Sequence, residues 1–218
     1  MEDCHLLEVQ KSDKGFIALV YTHDKEYIEY HCDHFVNALG ANAHKFAKQL
    51  NMETGLYAVK HQAFITRRLP MLGINGQPLD MLIDRRNYKG FSAVYGQQFA
   101  ETGQIIGCAS PATDAIEAHR DLKYNSQDFL EICAEVFSDW LPQLGSVGFQ
   151  AFWSGYYTEP RYIVDPSKGL LVGLRGHGFM LGQYLAKIYV DQYLGNPVPD
   201  YMHRLSIEGD GLSENAFK

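Results

Sequence analysis

Gly169-Leu170-Leu171-Val172-Gly173-Leu174-Arg175-Gly176-His177-Gly178-Phe179-Met180 joins a short apolar strand to a helix through a bend rich in glycine. Beyond the bend the period changes. Leu181, Leu185 and Ile188 recur on one helical face as far as Tyr193, and Gly195-Asn196-Pro197 stops the pattern. Residues without a Cβ at such a bend let the backbone come close to a flat ligand. The helix that follows offers N–H groups and a partial positive charge to an anion. A second join of the same kind lies upstream in Val36-Asn37-Ala38-Leu39-Gly40-Ala41. The helix after it is expected to reach about residue 52, with Ala43, Phe46, Ala47 and Leu50 on one stripe. Glycine-rich helix starts also serve plain tight packing, so neither join settles a ligand by itself.

Around the two joins the chain reads as strands. Residues 6–10, 16–21 and 26–30 form a meander, turned by Ser12-Asp13-Lys14-Gly15 and Thr22-His23-Asp24-Lys25. Longer strands follow at 57–67, 79–83, 91–97 and 104–109. The turn dipeptides Asn75-Gly76, Lys89-Gly90 and Thr102-Gly103 between them predict an antiparallel sheet. Asn125 or Ser126 caps a helix carrying Phe129, Leu130, Cys133, Val136, Phe137 and Trp140 at helical spacing, ended by Pro142. A strand at 149–153 returns to the sheet, and the polar residues after Pro199 are expected to wrap the surface loosely. Meander, helix, antiparallel sheet, helix, strand, helix is the order of an α+β protein with two lobes interleaved along the chain.

Composition excludes several classes. In 218 residues, 46% hydrophobic and 21% charged, the formal charge is -7. The densest basic spots, Arg67-Arg68 and Arg85-Arg86, do not form the stripe that nucleic acid or an anionic membrane needs as main partner. Cys4, Cys32, Cys108 and Cys133 lack a C-x-x-C spacing, which argues against disulfides or zinc and fits a reducing cytosol. No apolar run approaches the ~20 residues of a membrane span. His31-Cys32-Asp33-His34 invites a metal, yet His31 and His34 would point to opposite faces of a strand. A serine hydrolase would need a G-x-S-x-G elbow, which is missing.

Four segments in series carry a family resemblance. Val36 to Gly40 resembles a V-N-A-x-G strand, and Val59-Lys60-His61-Gln62-Ala63-Phe64 resembles P-x-K-x-Q. Trp153-Ser154-Gly155-Tyr156-Tyr157-Thr158 resembles W-x-G-x-R-x-x-T-P, and the stretch from Gly173 to Met180 resembles G-F-S-G-H-G-F-M. Together they resemble the D-amino-acid oxidase superfamily of FAD-dependent oxidoreductases, nearest its glycine oxidase and sarcosine oxidase branch, from the N-terminus to about Leu194. The resemblance implies FAD as cofactor and hydride transfer from a C–N bond of a small amine or amino acid to the flavin. It places Gly173, Gly176, His177, Gly178, Phe179 and Met180 against the isoalloxazine ring, and Asn37, Ala38 and Gly40 against the dinucleotide portion. By the same resemblance, residues 1–55 are a partial FAD-binding domain and 56–155 an antiparallel substrate-binding domain. Residues 156–198 return to the FAD-binding domain, and 199–218 are a tail.

The departures are equally specific. Family members that act on amino acids hold the carboxylate with an arginine, because a planar fork pairs with it through two bonds. That position in the W-x-G-x-R strand is Tyr156 or Tyr157 here. Sarcosine oxidases carry a lysine where this chain has Met180. Arg161 and Arg175 are the nearby cationic candidates for a substrate anion, and Tyr156 and Tyr157 are candidates to hydrogen-bond it. His61, His177 and Cys108 are formal candidates for a covalent flavin link. The family's opening strand, G-x-G-x-x-G and helix are lacking. The chain alone is therefore expected to bind FAD poorly and to be inactive, either as a fragment or as one subunit completed by a chain bearing that motif. A non-catalytic chain, either a degenerate fragment or a structural subunit of such an enzyme, is the competing expectation.

Overall fold

The computed structural model describes residues 3–86, 90–111, 122, 126–142 and 147–211. Lys89 of the expected turn and Asn125 lie outside the described residues. The chain divides into two compact units, one of Met1–Ala58 with Tyr157–Lys218 and one of Val59–Tyr156. The fold is α+β.

In the first unit β1 (His5–Ser12), β2 (Gly15–Tyr21) and β3 (Tyr27–Cys32) form an antiparallel meander in that order. Helix α1 (Ala43–Gln49) packs Phe46 and Leu50 with Val9 of β1. It stops three residues short of the expected end, for a local reason. Asn51 takes a left-handed conformation (φ 58), its N–H donates to the Lys48 carbonyl, and the Met52 N–H donates to the Ala47 carbonyl. That pair of bonds with a left-handed residue between them is the closed helix ending in which Asn stands in for glycine.

The second unit holds a five-stranded sheet in the order β5-β6-β7-β4-β8. Its strands are β4 (Tyr57–Thr66), β5 (Leu82–Asp84), β6 (Phe91–Gln98), β7 (Ile105–Pro111) and β8 (Phe149–Glu159), with β4 and β8 each continuing into the first unit. Strand 79–83 shrinks to β5 because the Gln98 side chain intervenes. Its Oε1 accepts from the Leu72 and Leu79 N–H groups, and its Nε2 donates to the Pro70 and Gly103 carbonyls. Helix α2 (Gln127–Trp140) lays Phe129, Ile132, Cys133, Val136 and Phe137 on Phe64, Val94 and Ile105 of the sheet. Burial pushes the Cys133 thiol up to about 12, so it serves as a small apolar core residue.

Ser126 caps α2: its Oγ accepts from the Phe129 N–H at 3.2 Å. Gln62 of β4 ties the cap to the sheet, since its Oε1 accepts from the Ser126 N–H at 2.6 Å and its Nε2 donates to the Ser126 Oγ at 3.1 Å. Ser126→Ala should lower stability by roughly 1–2 kcal/mol, the cost of a lost cap plus a weakened Gln62 partner. The midpoint of urea unfolding reads this directly.

Back in the first unit, β9 (Ile163–Asp165) pairs with β10 (Leu170–Val172), and helix α3 (Gly178–Tyr193) follows. Strand β9 has no signature in the sequence: three consecutive buried residues show no alternation. The segment after Pro199 is not the loose wrap expected. Residues Asp200–Leu205 form a 3-10 turn whose Met202 and Leu205 are buried with Tyr162, Leu185 and Ile188. Two apolar residues three apart suffice to dock a short turn, a signal that the surrounding polar residues hide. Among the described residues no helix is long and apolar enough to cross a membrane.

Candidate functional site

A single pairing organises the site. The Asn37 N–H donates to the Gly169 carbonyl at 2.8 Å, and the Leu171 N–H donates to the Asn37 carbonyl at 3.1 Å, making a parallel bridge to Leu170. Residues 36–38 and β10 therefore run in the same direction. Both glycine joins, Gly40 into α1 and Gly173 into α3, leave this small sheet at its carboxyl end, the end where open parallel sheets take their ligands.

Each join is fixed by specific residues. Asn37 is buried, and its side chain is occupied: Nδ2 donates to the Ala43 carbonyl at 2.8 Å while Oδ1 accepts from the Leu39 N–H at 3.3 Å. It props the turn into α1, and its neighbours Ala38 and Gly40 are exposed. Gly40 sits at φ 54, and a Cβ there would meet nothing within 4 Å. At the second join Gly173 is left-handed (φ 73), and a Cβ would collide with the Arg161 carbonyl oxygen. Gly176 is exposed on one side, while a Cβ would come within 2.6 Å of the Tyr157 ring. Among the described residues no side chain caps α3. Phe179 is fully exposed and Met180 is 67% exposed. His177, just before the helix, has Nδ1 2.6 Å from the Tyr162 hydroxyl.

The cationic candidates are engaged within the chain. Arg175 donates through Nε to Glu159 Oε2 at 2.6 Å, with both side chains only about one-sixth exposed (17% and 16%). Arg161 donates to the Ile207 carbonyl at 2.6 Å and to the Gly209 carbonyl, which pins the last described turn. Tyr156 and Tyr157 are consecutive on β8, and Tyr157 covers Gly176. Glu159 and Tyr162 escaped the sequence reading, because no periodic spacing links them to Arg175 and His177.

In the second unit His61 of β4 is held neutral by burial, its pKa lowered to about 4. Cys108 of β7 is buried, and desolvation raises its thiol pKa, so thiolate is scarce there. In the His31-to-His34 run, His31 is exposed and His34 hydrogen-bonds the Tyr189 hydroxyl at 2.7 Å. Among the described residues no group of three potential metal ligands gathers.

A family model described as DAO, FAD dependent oxidoreductase, matches residues 1–192. The chain belongs to this family. No curated protein sequence matches it. Solved structures similar to this DAO-family chain include L-proline dehydrogenase from P. horikoshii, at TM-score 0.69 and 19% identity, covering 94% of this chain and 53% of that one. Glycine oxidase from Geobacillus kaustophilus gives 0.67 and 15%, covering 94% and 51%. Iminodiacetate oxidase from Chelativorans sp. BNC1 gives 0.63 and 17%, covering 91% and 51%. At these identities the likeness shows the fold, and the chain spans about half the length of the structures it matches.

The DAO family is FAD-dependent, and the residues at the α3 bend fit the electron-rich edge of a flavin. Gly176 and Phe179 are exposed, the helix start has no side-chain cap among the described residues, and first-turn amides have no acceptor within a helix. A cradle for the pyrophosphate is not among the residues of this sequence, which has no G-x-G-x-x-G.

Proposed function

We propose that this chain is the flavin- and substrate-facing part of a DAO-family enzyme that oxidises a C–N bond of a small amine or amino acid. A missing N-terminal part or a partner chain carrying the dinucleotide-binding start would complete it. The observation that carries this reading is the parallel Asn37–Leu170 bridge, which puts both glycine joins at one end of the sheet in a chain of this family. Bound FAD supplies the hydride acceptor. Gly173, Gly176, His177, Gly178, Phe179 and Met180 would hold the ring, with the α3 amides favouring negative charge beside them. Asn37 shapes the turn that brings Ala38 and Gly40 to the dinucleotide portion.

Substrate would be positioned by Tyr156, Tyr157 and Arg175, with Arg161 holding the bend in place behind Gly173. Hydride transfer needs alignment and exclusion of water more than an acid or base, and the apolar residues at the bend suit that task. The domain reading follows: residues 1–55 and 156–198 serve the cofactor, residues 56–155 the substrate, and 199–218 the tail. All four cysteines are free thiols, which supports a reducing, cytoplasmic setting. A second reading, a structural subunit without catalysis, is favoured by the internal engagement of both Arg161 and Arg175.

Met180→Glu tests the reading. The side chain is exposed, and an acidic residue in a first helical turn does not harm the helix, so the fold should be untouched. A negative charge beside the flavin edge should lower flavin retention by the completed assembly about 10-fold, in line with charge effects of 1–2 kcal/mol at partly buried helix ends. Equal flavin content in wild type and variant, read by visible absorbance, would remove the bend from the cofactor site.

A further inference from the structure

Tyr162, the residue before β9, brings a hydroxyl to the glycine bend from the core of the first unit. Its side chain is buried and packs with Leu185, Ile188, Met202 and Leu205. Walled in by α3 and by the docked turn after Pro199, the phenol ring has little room to swing. A buried tyrosine hydroxyl needs a polar partner. Here that partner is His177 Nδ1 at 2.6 Å, with the two ring centroids 6.2 Å apart. His177 itself is only partly buried, and its neighbours Gly176 and Phe179 are exposed. Among the described residues nothing hydrogen-bonds the other ring nitrogen, Nε2. One end of this imidazole is thus gripped from the core, and the other is left for an incoming group.

A neutral imidazole has one N–H and one bare nitrogen, and the bond made at one nitrogen decides which of them carries the proton. A phenol, which ionises near pH ~10, is a far better donor than a neutral imidazole N–H. The bare imidazole nitrogen is in turn a better acceptor than the phenol oxygen. The favoured arrangement has the Tyr162 O–H donating to Nδ1, which puts the ring proton of His177 on Nε2. The geometry points to Tyr162 as a positioning residue that locks His177 in this tautomer, making Nε2–H a fixed donor to an electron-rich oxygen at the bend. The bend then offers a neutral side-chain donor in addition to the first amides of α3. A flavin carbonyl and a substrate carboxylate present the same kind of oxygen, so either is a source of that acceptor. Tyr162 acts only through His177. This role rests on the placement of the bend at the cofactor proposed above, and it gives the His177 side chain a task there.

Ring-nitrogen NMR of the full-length protein, labelled with heavy nitrogen at histidine, tests this at alkaline pH, where an ordinary imidazole is neutral. His177→Gln identifies the His177 signals by their loss. In the wild type Nδ1 should show the shift of a bare, accepting nitrogen and Nε2 that of a protonated one. Tyr162→Phe keeps the ring and removes the hydroxyl, so both shifts should move towards the averaged values of exchanging tautomers. A protonated Nδ1 in the wild type overturns the proposal without any variant. The same single tautomer in folded Tyr162→Phe overturns it too, because something else then sets the proton. In the holoenzyme two further readouts separate the sources of the oxygen. With a flavin acceptor, Tyr162→Phe should make the two-electron reduction potential more negative by about 30 mV, equivalent to about a 10-fold change in equilibrium constant. With a substrate carboxylate as acceptor, KM for an anionic amino acid should instead rise about 10-fold, while kcat and the KM of a neutral amine hold. A holoenzyme in which neither quantity moves shows that Tyr162 serves packing alone, and the donor role falls. A protein that binds no flavin while its tautomer still follows Tyr162 counts against the cofactor reading alone. A flavin-bearing protein whose tautomer ignores Tyr162 counts against this proposal alone.

Discussion

Gly173→Ala should be the most damaging single-methyl change in the chain, costing roughly 2–5 kcal/mol of stability. Two separate effects add. Gly173 is at φ 73, a left-handed conformation that costs a residue with a Cβ about 1–2 kcal/mol. The new methyl would also overlap the Arg161 carbonyl oxygen, with the Leu56 side chain 3.3 Å away. Backbone cannot rotate aside as a side chain can, so the overlap must shift the segment that carries Arg161, at a cost of about 1–3 kcal/mol. Arg161 in turn holds the Ile207 and Gly209 carbonyls, so the disturbance should reach the docked tail. Gly195→Ala is the control. It has nearly the same backbone angle, φ 76, but a Cβ would meet nothing within 4 Å, so it should cost only about 1–2 kcal/mol. Urea unfolding of both variants isolates the overlap as their difference. If the two cost the same, Gly173 does not pack on the Arg161 backbone.

That comparison also shows what the sequence could and could not reveal. The glycine bend and the α3 helix were legible because strand, glycine and helical period are each local signals. The reason each glycine is required was not. Gly176 reads as a residue cleared for a ligand, yet in the fold a Cβ there would press on the Tyr157 ring, 19 residues earlier in the sequence. Gly40 reads as a glycine of the same kind, and there the space is open: a Cβ would meet nothing within 4 Å. The Ser126 cap was visible as a residue type before a helical period, whereas the role of Gln62 in holding it was hidden 64 positions away. Composition and motifs led to the family. They could not show that Glu159 stands against Arg175, because an ion pair between a strand and a distant bend leaves no spacing to read.

Glu159→Gln is expected to cost about 3 kcal/mol, near the low end for breaking a buried ion pair because about one-sixth of each side chain remains exposed. The loss comes less from the missing attraction than from removing a charged partner of the largely buried Arg175 guanidinium. Arg175→Met should cost a similar amount by stranding the carboxylate. The paired change Arg175→Met with Glu159→Leu should recover most of it, since two apolar groups of like volume need no partner. Arg175→Gly separates a further effect: Arg175 sits at φ 52, where glycine is at ease, so this variant should be about 1 kcal/mol less harmful than Arg175→Met. Kinetics of the completed enzyme then distinguish a structural arginine from a substrate ligand. If Arg175 also receives a substrate carboxylate, Glu159→Gln unmasks its charge. The Michaelis constant for an anionic amino acid should then fall several-fold, while that for a neutral amine stays put, because a competing carboxylate has been removed. If both substrates respond alike, Arg175 acts only on the fold, and the substrate anion must be sought at Tyr156, Tyr157 or outside this chain.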